Sequence, residues 1–533
     1  MSKGALLFPL LLFYSCVTSA QDSDFNVSWG DTYSRTATQD AHFLYMGTWG
    51  GETYIRTGND REQFLHRLSH RLRVVQTIAL DQEFRGHSMY FERLIETPAG
   101  IFGYWKVPDR DSTQLLVVMA PFSHGRFGDY RVVFQHDFMK FSLASYRYTY
   151  SFLRRDWSTW RYIPDLIKAS PDGLKWVYSN VERPVGFPSS NYADHRIAVF
   201  DQSFNLQEQM EVQQFDQERG RIKDVFVTND GEVYAIRQLR KFNGGYWKAF
   251  LVGSHNPKDH HRLVRISPGS GEEVLPLELG NGRVPTSIDL IWNPTQQQYH
   301  VVGLFTDGTE PSNLGGFYTA ILKAGTVSQA QTMAFSDEFR SQEIAHLDKL
   351  KDDLRSKVVS KPINTGKRLG EDYRVKASKF DSNGNLSCWL ERHTTRKYTD
   401  TVEPEKDGAS LFVRMDSSVK PINARIFSRF FVAQGNRFPT SLRWYEGEDL
   451  HVIYPNITTV EAQQESGGRS KGGGTLEYLV LGPDGETLRS EILMSGLSSF
   501  YDFNFPLARY ESCVLFGELS PSKYKLGCTD EWE

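Results

Sequence analysis

Residues 141–162, FSLASYRYTYSFLRRDWSTWRY, hold eight aromatic rings interleaved with Arg147, Arg154, Arg155 and Arg161. Aromatic faces stack on apolar or sugar rings, and guanidinium groups present a fixed fork of donors. Together they suit sugars, anionic glycans or the anchor residues of a protein partner. Arg154, Arg155, Trp157, Trp160 and Tyr162 are therefore the candidate ligand-binding residues. The same stretch also reads structurally, as a strand pair, Tyr146 to Phe152, packed across a blade face with the arginines at its rim.

Three other clusters have suggestive residue types but the wrong spacing. In GSHNPKDHH (253–261), His255, Asp259, His260 and His261 are metal-ligand types, yet adjacent histidines point apart on any regular backbone. A solvated loop is expected there, with no metal site and no cofactor. Asp381-Ser382-Asn383-Gly384-Asn385 begins like a calcium loop, but Arg392 stands where the closing bidentate glutamate belongs, so a hairpin turn is expected. SPDGLKW (170–176) is one residue short of a sialidase Asp-box and does not recur, so it too reads as a turn. Nucleophile-elbow, HExxH, P-loop and dinucleotide fingerprints are absent from the sequence.

The elements that must position these residues follow one rhythm. An alternating apolar run meets a tight turn and a second run; after a longer loop come two more runs split by another turn. The copies lie at 164–212, 222–279, 286–335, 375–427 and 437–493, and MYFERLIET-PAG-IFGYWKV with LLVVMAP begins a further one. Their turns, Ser170-Pro171-Asp172-Gly173, Thr228-Asn229-Asp230-Gly231 and Asp381-Ser382-Asn383-Gly384, place glycine where a positive φ is needed. Four strands per unit, repeated, imply an all-β protein folded as a single β-propeller of four-stranded antiparallel blades over residues 41–533, with 21–40 as a lead-in. Seven blades are expected if the terminal strands share one blade; kept apart they give eight, and merging the divergent second copy gives six. Two stacked β-sandwiches would be the competing architecture. The aromatic content, 13%, fits large cross-strand side chains on both sheet faces.

One insertion breaks the rhythm. In DEFRSQEIAHLDKLKDDLRSKVVS (337–360), Phe339, Ile344, Leu347, Leu350, Leu354 and Val358 form one apolar stripe, which predicts an amphipathic helix within an insertion at 337–372.

The N-terminus carries an address. Residues 1–20 combine Lys3, an apolar run from Ala5 to Phe13 broken only by Pro9, and the small residues Thr18-Ser19-Ala20. This is the pattern of a secretory signal cleaved near Ala20, placing the protein outside the cell or in a periplasm. Lipid attachment at Cys16 is the weaker alternative, because Phe13-Tyr14-Ser15 makes a poor lipoprotein box. Elsewhere the sequence has no apolar run long enough to span a bilayer as a helix. The formal charge of −4, from 61 Lys+Arg and 65 Asp+Glu, excludes the basic footprint of a nucleic-acid binder. Cys388, Cys513 and Cys528 follow the signal. A four-residue hairpin at 519–522 would set Cys513 opposite Cys528, so either a cross-strand disulfide or two buried thiols is expected.

The layout resembles the secreted β-propeller proteins of Bacteroidetes-type bacteria. The resemblance runs over about residues 40–530. It is carried by SPDG…WVYSN, RIAVFDQSFNLQEQ, VFVTNDGEVYAIRQL and the insertion before VKASKFDSNGNLSCWLER. It implies a fold and an export route, and it brings no catalytic residues. On the residues alone, the expected function is a non-enzymatic binding or scaffold module of the cell envelope or exterior, a monomer with a protein or glycan ligand. The alternative is a glycan-processing hydrolase or lyase using acidic residues in the central channel.

Overall fold

In a computed structural model, the structure describes residues 27–34, 44–49, 52–58, 63–69, 72–109, 114–137, 166–179, 195–212, 220–239, 260–269, 271–280, 282–306, 314–339, 373–392, 405–407, 410–418, 420–427, 431–433, 442–461, 471–497, 508–510, 513–519 and 523–529. Nearly all of them are strand, and the chain is the β-propeller that the repeat implies. Seven blades are each drawn from one continuous stretch: blade 1 from 44–79, blade 2 from 90–137, blade 3 from 166–212, blade 4 from 220–275, blade 5 from 284–334, blade 6 from 373–427 and blade 7 from 442–497. Within each blade successive strands pair antiparallel, so the first strand lies at one edge and the last at the other.

Blades form here because the strands are apolar on both faces. In blade 3, Tyr178 and Phe200 pack toward blade 2 while Val177 and Val199 pack toward blade 4. Each remaining junction has its own core: Leu65 against Trp105, Tyr234 against Tyr318, Val302 against Leu390, and Trp389 against Leu479. Burying one such side chain contributes about 1.5–3 kcal/mol, so the blades are held mainly by their neighbours.

One turn geometry recurs. At Asp201–Asn205 the amide of residue one donates to the carbonyl of residue five (3.0 Å), and the amide of residue four donates back to residue one (3.0 Å). Thr228–Glu232, Asp381–Asn385, Gly482–Glu486 and Ser69–Arg73 close in the same way. The fourth residue sits at positive φ: +95° at Gly231 and +79° at Gly384, but also +57° at Phe204. Glycine takes this conformation freely. Phe204 takes it under strain, and its ring is buried at 1% exposure against Phe102 and Trp176. The Asp381 segment is thus a hairpin turn, as expected, and so is Ser170–Lys175.

The chain ends meet in a further four-stranded sheet, ordered Val27–Ser34, Lys523–Thr529, Cys513–Leu519, Ala508–Tyr510. Sharing of one sheet by the two ends was expected, but the N-terminal partner is not. The strands at 44–79 make blade 1 by themselves, and the closing strand comes from within the 21–40 lead-in. The outward faces of blades 1 and 7 are buried as well, at Ile55 (1%) and Ile453 (0%), as a closed wheel requires.

The register of the last hairpin also differs from the expected one. Glu518 pairs with Lys525, and Cys528 lies opposite Leu515, two residues from Cys513. The directly opposed placement on which a Cys513–Cys528 bridge was argued is replaced by a two-residue offset. Of the expected helix, Asp337–Phe339 begins a helical turn, with Ser336 Oγ accepting from the Phe339 amide (3.1 Å) and Phe339 stacked on Phe335. The rest of the insertion lies outside the described residues.

Candidate functional site

The first strands of blades 1 and 2, of 3 and 4, and of 6 and 7 touch each other, which places them toward the hub of the wheel. A propeller with catalytic chemistry would place it there, and the hub does carry acidic groups. Asp224, in the first strand of blade 4, accepts from Lys168 Nζ of blade 3 at 2.7 Å and from the Val225 amide at 2.9 Å. The Lys168 ammonium also lies 3.8 Å from the centre of the Phe226 ring. Asp289, which opens the second strand of blade 5, accepts from the Val375 amide of blade 6 at 3.0 Å. Glu391, in the second strand of blade 6 beside the hub strand, takes Arg443 of the first strand of blade 7 on both oxygens, at 3.0 and 3.1 Å, and the Trp389 indole at 2.8 Å. Between blades 1 and 2 the donor is Arg56, whose guanidinium bonds the Phe91 carbonyl, while Glu92 lies 3.8 Å from Lys106 in blade 2.

Three of these carboxylates are therefore committed to donors of the adjoining blade. An ion pair or amide bond of this kind satisfies a group that would be costly to bury alone. Such a network ties blade to blade at the radius where the sheets converge.

Register irregularities fall between the hub strand and its neighbour in blades 1, 2, 4 and 6, at Tyr45/Gly47, Phe91/Arg93, Ile222/Asp224 and Val375/Ala377. A bulge bends the strand and increases its twist, which helps narrow the sheet toward the hub.

The buried Cys388 lies near Asp289. Burial, with the Asp289 charge adding, pushes its thiol well above its ordinary pKa, and the same two causes raise the Tyr318 phenol. Cys388 is held as an inert thiol, without the thiolate that nucleophilic chemistry needs. Among the described residues, no group of three or more His, Cys, Asp or Glu is placed to hold a metal ion.

The two faces of the wheel differ. Short turns between first and second strands, and between third and fourth, gather on one face and are laced sideways. Examples are the Asp172 amide to Asn229 Oδ1 (3.1 Å), Arg131 to Asn205 Oδ1 (2.7 Å) and Arg414 to both Asp381 and Asp484 (2.9 Å each). The longer connections, at 138–165, 180–194, 240–259 and 340–372, start and end on the opposite face.

Arg154, Arg155, Trp157, Trp160 and Tyr162 fall in the connection between Asp137 and Leu166 and lie outside the described residues, as do His255 and Asp259. His260 and His261 do not belong to a solvated loop: they open the strand His260–Ser267, and His261 is buried. Sequence reasoning did not find the pairs Lys168–Asp224 and Glu391–Arg443. A charge inside an apolar strand run was the available signal, but its partner lies in another blade.

No protein-family model matches the chain, and no curated protein matches it. Solved structures do. Prolyl oligopeptidase B from Galerina marginata is 11% identical, with 90% of this chain and 55% of that one covered and a TM-score of 0.37. Oligopeptidase B from Leishmania major is 9% identical, over 90% and 53%, with a TM-score of 0.38. The β-propeller domain of the Trilobed protease from Pyrococcus furiosus is 11% identical, over 87% and 98%, with a TM-score of 0.34. This chain thus spans about half the length of the two oligopeptidases. At such identities no activity transfers from one chain to the other.

Proposed function

We propose that the chain is an exported β-propeller acting as a non-enzymatic binding or scaffold module of the cell envelope or exterior, with a protein or glycan ligand held on the face of long connections. The observation that carries this reading is the engagement of the hub carboxylates. Asp224, Asp289 and Glu391 each accept from a donor of an adjoining blade. Glycoside hydrolysis asks instead for two carboxyl groups free to exchange protons with substrate and water. The turn face is laced from blade to blade, and loops positioned by such a scaffold, here the long connections of the opposite face, are where recognition is commonly carried.

The test uses full-length protein expressed in a host with a secretory pathway. Cleavage after Ala20 predicts a mature chain beginning at Gln21, read by N-terminal sequencing. Tryptophan fluorescence is then titrated with a panel of glycans and peptides, and the same mixtures are assayed for released reducing ends or cleaved peptide. The expected result is saturable quenching by one class and no turnover, with Trp157→Ala/Trp160→Ala and Arg154→Ala/Arg155→Ala weakening binding at least tenfold. Turnover that disappears in Asp224→Asn or Glu391→Gln, with the fold retained, would replace the binding module by the enzyme.

A further inference from the structure

We propose that the seam between Val27–Ser34 and Lys523–Thr529 is a strand-exchange site for a second copy of this chain. Every blade takes its outer strand from the residues that directly follow its third strand, through connections such as Asp201–Asn205, Asp416–Lys420 and Gly482–Glu486. Strands tied in this way cannot be traded without unmaking their own hairpin. Val27–Ser34 has no such tie. It reaches Lys523–Thr529 from the other end of the chain, and the next described strand in sequence is the first of blade 1.

The pairing is also interrupted. It runs from Val27↔Thr529 to Trp29↔Gly527, breaks between Trp29 and Thr32, and resumes from Thr32↔Lys525 to Ser34↔Lys523. Each run is shorter than the five or six residues of a usual strand, and so can peel away before the other. Once bare, the edge of Lys523–Thr529 fits one strand by register, and every copy of the chain carries it.

Two copies trading first strands would each rebuild the same sheet with the same pairs. The exchange is therefore reciprocal, two-fold and self-limiting at a dimer, and it requires no new complementary surface. The connection 35–43 can extend to about 30 Å, enough to pass the strand to a rim lying alongside. The monomer expected on sequence grounds is then one of two forms, and protein concentration sets the balance.

The register supplies the test. Ser28 lies directly opposite Cys528, so Ser28→Cys places a thiol on each side of the seam. Cys513→Ser in the same chain removes the thiol two residues along. The full-length variant is incubated dilute and concentrated, treated with a short bismaleimide, and run on reducing gels. The expected result is an internally linked monomer when dilute and a covalent dimer whose share rises severalfold when concentrated. Val75→Cys, on an exposed outer strand tied by a turn, sets the collisional background. Internal links alone at every concentration, no link at all, or dimer no greater than with Val75→Cys would each overturn the proposal. If the double variant does not fold, unsubstituted protein is concentrated in mild urea, diluted and chromatographed: a slowly decaying dimer is expected, and monomer alone refutes the exchange.

Discussion

Replacing Glu391 separates a structural hub from a catalytic one. Its carboxylate is 7% exposed and receives three donors: Arg443 Nε and Nη2, and the Trp389 indole N–H. Glu391→Ala leaves a guanidinium with 20% of its surface exposed, and a buried indole N–H, without this acceptor. Breaking a buried pair from one side costs about 3–5 kcal/mol. Glu391→Gln keeps the shape but loses the charge, and since each charge-assisted bond is worth about 1.5–3 kcal/mol, a loss of ~2–3 kcal/mol is expected. Arg443→Met alone should cost a similar amount. The double variant Glu391→Ala/Arg443→Met should cost less than the two single losses summed, giving a coupling energy of at least about 2 kcal/mol. Urea unfolding followed by tryptophan fluorescence measures all four proteins. A single-variant loss under 1 kcal/mol with no coupling would show that the latch does not hold blades 6 and 7 together, and the assignment of the other hub carboxylates would fall with it.

Two further expectations concern single buried rings. Phe204→Ala should cost about 3–5 kcal/mol by emptying the junction of blades 2 and 3. Phe204→Gly should cost no more than that, because glycine relieves roughly 1 kcal/mol of left-handed strain at φ +57°; a glycine variant clearly worse than alanine in thermal melts would refute the strain argument. His300 is fully buried between blades 5 and 6, against Asn293 and Phe380, and burial lowers its pKa from 6.5 to about 4. The unfolded chain therefore takes up a proton below 6.5 that the folded chain refuses until about 4. This contribution to stability is whole above 6.5 and is lost as pH falls toward 4, at up to about 1.4 kcal/mol per unit. His300→Phe should flatten the pH dependence of the unfolding midpoint in that window, and an unchanged slope would exclude His300 as its source.

The wheel was readable because its periodicity is local. Asp230-Gly231 and Asn383-Gly384 announce turns with positive φ, and the alternation on either side gives the strands. The same rule passes over Phe204, where tertiary burial outweighs backbone preference. It also could not choose the register of the last hairpin. A shift of two residues, from Glu518↔Lys523 to Glu518↔Lys525, returns every side chain to the face it had before, so the apolar pattern is identical in both pairings. A one-residue error would have inverted the faces and declared itself; a two-residue error is silent.

The same distinction explains the hub and the seam. Lys168 and Asp224 are separated by a whole blade in sequence, and neither strand marks the other as its partner. Val27–Ser34, VSWGDTYS, carries a glycine and an aspartate that weaken its strand signal, and its partner lies at the far end of the chain. Turns and blades are short-range objects that a reader of sequence can assemble one at a time. Closure, and the ion pairs that fasten one blade to the next, exist only once the blades have been arranged. Residues that fasten a repeat protein therefore look like isolated exceptions to its pattern, which is also how catalytic residues look. What separates the two is the number of donors already on the carboxylate. By that measure Glu391, with three donors, is a fastening, and a carboxylate of the long-connection face that meets no donor in the folded chain would be the group to test for chemistry.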